Sequence, residues 1–139
     1  MVRNPFSVRP YQHVLDPIMA YLMIAKAQYE NKSLAGCYNV GPNEENCITT
    51  GELVDLFCKE WKGQTGEDIK WTNKYDGGPH EANFLKLDCS KIKTKIGWKP
   101  IWGIEITMQK IVEWTECYLH NGDINKCTEK QIVEFCDNM

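Results

Sequence analysis

The first clear pattern in the chain is an apolar stripe at helical spacing near its N-terminal end. Four apolar residues follow at intervals of three or four positions: Ile18, Leu22, Ala25 and Tyr29. This spacing puts the four on one side of an α-helix that is predicted to run to about residue 30. Asp16 is predicted to cap this helix, because Pro17 then falls at the first helical position, where no backbone N–H is needed.

Four further helices are predicted from apolar spacing together with start and stop residues. They are one after the capping-box pair Thr49 and Glu52, a short one between Asp88 and Gly97, a long one over about 104–119 with Gly122 as its stop, and a last one over 128–136. The chain is therefore expected to be rich in helix.

Strands are predicted to be few and short. Residues 11–14, 37–40 and 69–72 alternate in polarity or form short apolar runs, which is typical of strands. Because strand and helix alternate along the chain, the pattern indicates the α/β class. Three short strands are too few for an independent open sheet, so we expect the segments around Val14 and over 37–40 to add to a larger parallel sheet.

Composition excludes several classes of protein. The 139 residues are 42% apolar and 25% charged, which is typical of a packed globular chain, and a net charge of -3 disfavours sequence-independent nucleic-acid binding. We expect no membrane association and a cytoplasmic location, because no apolar run is long enough to span a bilayer and the N-terminus lacks a signal-peptide pattern.

The seven cysteines are irregularly spaced and are predicted to be reduced thiols, with Cys58, Cys117 and Cys136 in the core.

Motifs for cofactor or metal binding are missing from the sequence. There is no G-x-G-x-x-G turn, no phosphate loop of the G-x-x-x-x-G-K type and no Tyr-x-x-x-Lys pair. The three histidines, His13, His80 and His120, are too scattered to suggest a metal site.

Two polar clusters remain as candidates for binding. Arg3 and Arg9 flank a segment that its prolines are predicted to keep extended. A guanidinium in a fixed position can bind the paired oxygens of a diphosphate. From spacing alone, however, the two arginines are better interpreted as solvated surface charges. His80 and Glu81 lie in the polar loop over 73–83, where they could bond sugar hydroxyls or simply face water.

Four blocks of the sequence resemble the CDP-glucose 4,6-dehydratase family, a group of extended short-chain dehydrogenases/reductases. The blocks are RNPFSVRPYQHVLDPIMAYLMIAKAQYEN, GCYNVGPNEEN, GGPHEANFLKLDCSKIKTKIGWKP and WGIEITMQKIVEWTECYL. They follow the family's order from Val2 to about Leu119, and the RPYQHV and PHEA blocks are more particular to the CDP-glucose branch.

The resemblance implies an α/β fold, namely the helix-rich C-terminal substrate-binding portion of such an enzyme, whose few short strands would complete a Rossmann sheet. Residues 1–120 would form the nucleotide-sugar-binding portion and residues 121–139 a C-terminal helical extension, with the NAD-binding Rossmann part absent. The implied parent is a homodimeric lyase that uses NAD to convert CDP-glucose to CDP-4-keto-6-deoxyglucose in deoxysugar biosynthesis. In the family the NAD turn and the catalytic residues lie upstream, so this portion is expected to hold no cofactor and no catalytic residue, and to be inactive alone.

The resemblance also implies which residues contact substrate. Arg9 matches the family's diphosphate arginine, and Asn39 matches a ligand-side asparagine of related dehydratases. A second diphosphate arginine of related enzymes is replaced here by Gly78, so His80 and Glu81 are candidates to contact the sugar or ribose instead.

Three alternatives remain open at this point. The chain could derive from another nucleotide-sugar epimerase or dehydratase, because base preference depends on small loop differences. It could also be a non-enzymatic binding module, or a helical interaction domain in which Arg9 and His80 are surface residues. The expected partner is CDP-glucose or a related nucleotide sugar, and the portion is expected to self-associate through apolar surface that the missing part would cover.

Overall fold

A computed structural model of the protein describes residues 1–75, 77 and 84–139. Its α-helices are α1 (Leu15–Glu30), α2 (Thr50–Thr65), α3 (Ser90–Lys95), α4 (Ile104–Leu119) and α5 (Ile124–Asp137), and its strands are β1 (Val8–Pro10) and β2 (Cys47–Thr49). Short 3-10 turns lie at Lys32–Leu34 and Glu44–Asn46. The helix-rich character predicted from the sequence is confirmed for this part of the chain.

The strands differ from those that the sequence predicts. β1 and β2 pair antiparallel, with Arg9 opposite Ile48. None of the predicted strands over 11–14, 37–40 and 69–72 forms, and the chain instead makes isolated parallel bridges at Val2 with Asn73 and at Val8 with Phe84. A strand needs a neighbour for its backbone hydrogen bonds, so short apolar runs without one stay irregular here.

Helix α1 ends at Glu30 as predicted, but its start differs. It begins at Leu15 after Val14, which provides no side-chain cap. Asp16 lies inside the first turn and is fully buried, and its Oδ1 accepts a hydrogen bond from the backbone N–H of Ile101 at 2.7 Å. Its carboxylate therefore joins two distant segments of the chain rather than capping its own helix.

The apolar stripe of α1 is exposed rather than buried. Leu22 is 63% exposed and Tyr29 is 90% exposed, while Ala20 is fully buried on the other side of the helix. Ala20 packs with Cys89, Ile92 and Trp98 in the main core cluster, at the edge of which lie Met23, Ile24, Tyr38, Val40 and Ile96. Helix α1 is thus apolar on two faces, and only one of them is covered within the described residues.

Helix α2 forms as the capping-box pattern predicts. The Thr49 hydroxyl accepts from the backbone N–H of Glu52 at 3.1 Å, and the Glu52 carboxylate accepts from the backbone N–H of Thr49 at 2.8 Å. The helix ends before Gly66, whose φ of 79° is left-handed and suits glycine. Near its start, a Cβ at Gly51 would lie 3.2 Å from the carbonyl oxygen of Pro5, so glycine permits this close approach.

The short helix α3 lies where it was predicted. Its start is stabilised by Asp88, whose Oδ1 accepts from the backbone N–H of Ser90 at 2.9 Å. Gly97 follows the helix with a φ of 76°, as expected of a glycine stop. The next aromatic residue, Trp98, is buried, and its Nε1 donates to the carbonyl oxygen of Asp16 at 3.2 Å.

Helices α4 and α5 pack against each other around Trp102. The α4 bounds match the prediction, but Asn121, with a φ of 54°, is the left-handed residue after it, and Gly122 is not. Helix α5 begins earlier than predicted, because Asp123 caps it by accepting from the backbone N–H of Lys126 at 3.1 Å. The Trp102 ring meets Phe135 of α5 edge-on, with ring centroids 5.1 Å apart.

The prediction for the cysteines is wrong in its choice of buried residues. Cys136 is exposed, and Cys58 and Cys117 are only half-buried. The buried thiol is that of Cys89, in the main core cluster. Apolar spacing alone could not identify it, because Cys89 is buried by contacts with helix α1, which is distant in sequence.

Candidate functional site

The N-terminal segment, residues 2–10, forms the frame of the candidate site. On one side it meets β2 and the start of α2, where the backbone N–H of Thr50 donates to the Ser7 carbonyl at 3.0 Å and that of Gly51 donates to the Pro5 carbonyl at 2.8 Å. The hydroxyl of Thr50 also lies 2.8 Å from the Tyr11 hydroxyl and 3.1 Å from the Ser7 hydroxyl. These bonds fix the segment immediately before and after β1.

On its other side, the same segment meets both ends of the polar loop over 73–83. At one end, Lys74 donates its backbone N–H to the Val2 carbonyl at 2.8 Å, and the Tyr75 ring meets Phe6 edge-on at 5.6 Å between centroids. At the other end, the backbone N–H of Leu85 donates to the Val8 carbonyl at 3.3 Å. The described residues on both sides of the loop therefore contact the N-terminal segment.

Arg9 lies in the middle of β1, next to the point where the loop rejoins. It is half-buried, and its Nη1 donates to the Val8 carbonyl at 2.9 Å, which orients the guanidinium along the strand. Its companion in the sequence pattern, Arg3, is exposed. The structure thus distinguishes the two arginines, which the sequence spacing could not.

Two of the predicted site residues, His80 and Glu81, lie outside the described residues. Gly78, at the position where related enzymes have a second arginine, lies outside them as well. Their described neighbours along the chain are Gly77 and Phe84, and Phe84 is bridged to Val8.

Asn39 is exposed, and its side chain already has a partner. Its Nδ2 donates to the Asp88 carbonyl at 3.1 Å, which ties the turn over 38–41 to the segment before α3. The two segments also approach closely at Gly41, because a Cβ there would lie 3.3 Å from the Leu87 side chain. Asn39 thus lies in a turn held against the segment before α3, while Arg9 lies in β1 opposite Ile48 of β2.

A cation lies where the loop rejoins the fold. Lys86 forms an ion pair with Glu44, and its ammonium lies 5.1 Å from the centroid of the Phe84 ring. The hydrogen bond from Lys86 lowers the pKa of Glu44 below its ordinary value, and the positive charge acts in the same direction. This end of the loop is therefore held by an ion pair, a stacked cation and a backbone hydrogen bond.

A second feature, which the sequence analysis did not find, is a cleft between the start of α1 and helices α4 and α5. His13 lines it together with Lys110, Trp114 and Ile132, and the cleft volume is about 400 Å³. Burial lowers the pKa of His13 to about 4, and the charge of Lys110 contributes in the same direction. Its walls come from three separated segments, so no local sequence pattern could have indicated it.

Within the described ranges, no group of three or more histidine, cysteine, aspartate or glutamate side chains is arranged to hold a metal ion. Among these same residues, none of the helices is long and apolar enough to cross a bilayer.

The comparisons with known proteins agree with the resemblance inferred from the sequence. No protein-family model matches the chain. CDP-glucose 4,6-dehydratase from Salmonella typhimurium (strain LT2) is 36% identical to it over 136 residues, which are 97% of this chain and 37% of that protein. The chain belongs to the nucleotide-sugar 4,6-dehydratase family.

A second member of this family supports the assignment. dTDP-glucose 4,6-dehydratase from Haemophilus influenzae is 30% identical over 125 residues, which are 84% of this chain and 34% of that protein. The chain thus spans little more than a third of the length of these two relatives. The five helices and the small sheet are compatible with an α/β portion of such an enzyme.

Proposed function

We propose that this chain is the nucleotide-sugar-binding portion of a CDP-glucose 4,6-dehydratase, and that Arg9 binds the diphosphate of the substrate. The observation that carries this proposal is the position of Arg9, in the strand beside which the polar loop rejoins the fold at Phe84. The match to the Salmonella enzyme over nearly the whole chain supports the choice of substrate.

The chemistry of this contact follows from the guanidinium group. It is planar, permanently charged and rich in N–H donors, so it can donate in parallel to two phosphate oxygens. The bond from Nη1 to the Val8 carbonyl limits the rotation of the side chain before substrate binds. A pre-oriented donor loses less conformational entropy on binding than a mobile one.

We further propose that His80 and Glu81 contact the sugar or ribose. The described residues that flank this loop contact the N-terminal segment that carries Arg9, which supports the proposed role. Asn39 is also proposed as a ligand-side residue, with its Nδ2 committed to the Asp88 carbonyl. In this role Asn39 would act mainly by holding the turn over 38–41.

The residues of this chain do not fit an NAD site. The sequence has neither the glycine-rich turn nor the Tyr-x-x-x-Lys pair that hold NAD in the family. We therefore propose that NAD binds a separate Rossmann part of the whole enzyme, and we assign no step of hydride transfer to the residues described above. The 139-residue chain alone is expected to bind nucleotide and to lack dehydratase activity.

Calorimetric titration of the purified chain with CDP tests the nucleotide site. Arg9→Ala is expected to weaken CDP binding by about tenfold or more, because the charge-assisted bonds to phosphate are lost. Arg9→Lys should recover only part of the affinity, since a lysine keeps the charge but not the paired donors. Arg3→Ala is the matched control, because it removes the same charge from an exposed position of the same segment.

Three results would contradict the proposal. Equal loss of affinity in Arg3→Ala and Arg9→Ala would mean that CDP responds only to net charge. Turnover of CDP-glucose by the 139-residue chain with added NAD would show that the catalytic site is not elsewhere. If the wild-type chain binds no nucleotide at all, this portion does not form the nucleotide site alone.

A second candidate substrate is favoured by the Haemophilus relative, whose name assigns it to dTDP-glucose. Titrations with UDP and dTDP beside CDP separate these possibilities. We expect CDP to bind more tightly than the other two, and tighter binding of dTDP would assign the chain to the other branch of the family.

A further inference from the structure

The cleft between α1, α4 and α5 has the size and lining of a small-molecule site. Its volume is about 400 Å³, and neither Arg9 nor Asn39 lines it. Small-molecule sites are typically apolar clefts of roughly 300–1,000 Å³ with a few convergent polar groups. The apolar walls are formed by five residues on three segments: Val14, Leu15, Ile111, Trp114 and Ile132.

His13, which lines this cleft, carries a ring N–H donor with no partner among the described residues. The residue is only 7% exposed, and its Nδ1 accepts from the backbone N–H of Leu15 at 3.3 Å. A neutral ring that accepts at Nδ1 carries its proton on Nε2. Within the described part of the chain, no acceptor is bonded to this Nε2 donor. The ring is held in place by edge-on contact with Trp102, at 4.7 Å between centroids.

The two threonine hydroxyls and the Trp114 N–H of the lining already take part in hydrogen bonds. The Thr128 hydroxyl donates to the Ile124 carbonyl at 2.7 Å and accepts from Trp114 Nε1 at 3.1 Å. The Thr115 hydroxyl donates to the Ile111 carbonyl at 2.7 Å. These hydroxyls are thus committed within their own helices or to a neighbouring helix.

Gln131 adds an acceptor to the cleft. Its Nε2 donates to the Lys110 carbonyl at 2.9 Å, and its Oε1 receives no hydrogen bond from any described residue. The residue is buried in the lining. A donor on His13 and an acceptor on Gln131 thus remain for a ligand.

The charges around the cleft cancel each other. Lys110 pairs with Glu113 at 3.2 Å and also with Glu134. Lys130 pairs with Glu113 at 2.6 Å and with Glu134 at 3.7 Å, so the cluster holds two ammonium and two carboxylate groups. A charged ligand would lose its hydration in this apolar cleft, and the charged groups around it are already paired with each other. Binding of a charged ligand is therefore unfavourable.

We propose that this cleft binds one small uncharged molecule that has a flat apolar body and an amide-like group. The amide oxygen would accept from His13 Nε2, and the amide nitrogen would donate to Gln131 Oε1. The apolar body would lie against Trp114, Ile111 and Ile132. This site is independent of nucleotide binding at Arg9.

The proposal is tested with three probes of nearly equal shape. Benzamide has the required ring, acceptor and donor, benzamidinium replaces the acceptor with a charged donor, and toluene has neither polar group. Binding to the ¹⁵N-labelled chain is followed by NMR titration of the backbone amides of α4 and α5. We expect a Kd of about 1 mM for benzamide, in the range of efficient small fragments. Benzamidinium and toluene are each expected to bind about tenfold more weakly, because each lacks the acceptor that His13 requires.

Two variants with matched controls locate the bound probe. Ile111→Trp fills the cleft and is expected to weaken benzamide binding by about tenfold or more, as a blocked pocket should. Ile106→Trp is its control on the same helix, because Ile106 is 42% exposed, close to the 37% of Ile111, and does not line the cleft. Ile132→Trp on α5, with Val133→Trp as control, repeats the test if Ile111→Trp fails to fold.

Four outcomes would overturn the proposal. Failure of benzamide to bind, or unchanged binding in Ile111→Trp and Ile132→Trp, would remove the cleft as the site. Toluene binding as tightly as benzamide would remove the role of His13. If sedimentation shows a wild-type dimer that Ile111→Trp dissociates and Ile106→Trp does not, the occupant of the cleft is a second copy of the chain.

Discussion

The carboxylate of Asp16 accepts a hydrogen bond from the backbone N–H of Ile101, which lies 85 residues later in the chain. The Asp16 carbonyl in turn accepts from Trp98 Nε1 at 3.2 Å. Through these two bonds the first turn of α1 holds the segment that leads into α4. Burial raises the pKa of Asp16 above its ordinary value, while the backbone hydrogen bond from Ile101 opposes this rise.

Asp16→Ala is expected to destabilise the chain by about 2 kcal/mol, because the partly buried Ile101 N–H would lose its acceptor. Asp16→Asn should cost less, since its side-chain carbonyl can still accept this bond. Urea denaturation at neutral pH, followed by circular dichroism, measures both effects. Equal losses in the two variants would mean that the hydrogen bond contributes nothing to stability.

The same variants separate the charge of Asp16 from its hydrogen bond. A raised folded-state pKa means that the folded chain binds more protons than the unfolded chain above pH 3.8. The contribution of Asp16 to stability is therefore present at low pH and is lost as pH rises through the raised pKa. This dependence should vanish in Asp16→Asn, and its persistence there would assign it to another group.

The titration of His13 is expected to give the stability of the chain the opposite pH dependence. Its pKa is about 4 in the folded chain against 6.5 in the unfolded chain, so only the unfolded state gains a proton between these values. Stability should therefore fall as pH drops from 6.5 towards 4, by at most about 3 kcal/mol. The groups that face His13 are Trp102 and the Lys110 ammonium, which pairs with Glu113 and Glu134.

Urea denaturation at pH 7 and pH 5 measures this dependence. His13→Phe should reduce it, because the variant keeps an aromatic ring against Trp102 and cannot be protonated. His120→Gln is the matched control, since it removes a histidine from the exposed end of α4. An unchanged slope in His13→Phe would contradict the assignment.

Helix α5 is expected to depend on Phe135 for its packing. The residue is buried and meets Trp102 edge-on, so Phe135→Ala should cost about 3–4 kcal/mol through lost burial and a cavity. Val133→Ala, on the exposed side of the same helix, should cost less than about 0.5 kcal/mol. Hydrogen exchange of the α5 amides, with the two variants compared, reports whether this helix alone is loosened.

The exposed stripe of α1 is expected to cause self-association. Ile18, Leu22 and Tyr29 form an uncovered apolar face, which soluble monomers rarely present. Leu22→Lys should shift the chain towards monomer in sedimentation experiments without unfolding α1, because lysine is also a good helix former. Val133→Lys is the control, at a similarly exposed apolar position on α5. Equal effects of both variants would exclude a specific role of the stripe.

The sequence by itself determined the helices best where local signals are complete. The bounds of α4 follow from its long apolar spacing, and the start of α2 follows from the reciprocal bonds of Thr49 and Glu52. These signals lie within a few residues of one another and need no distant partner. The family was likewise determined by the sequence, because the order of its motif blocks is a property of the chain alone.

Only the tertiary structure decided which faces of the predicted helices and strands are packed against other segments. The stripe of α1 has the spacing of a buried face, yet it is exposed, because Ala20 and its neighbours on the other face pack on α3 and Trp98. The segment over 37–40 has the composition of a strand, but among the described residues it has no strand beside it. Spacing could not separate Arg9 from Arg3; the family resemblance pointed to Arg9, and the structure adds that Arg9 is half-buried in β1 while Arg3 is exposed. Hydrogen bonds and burial between segments far apart in the chain leave no local pattern, so a contact such as that of Asp16 with Ile101 appears only after folding.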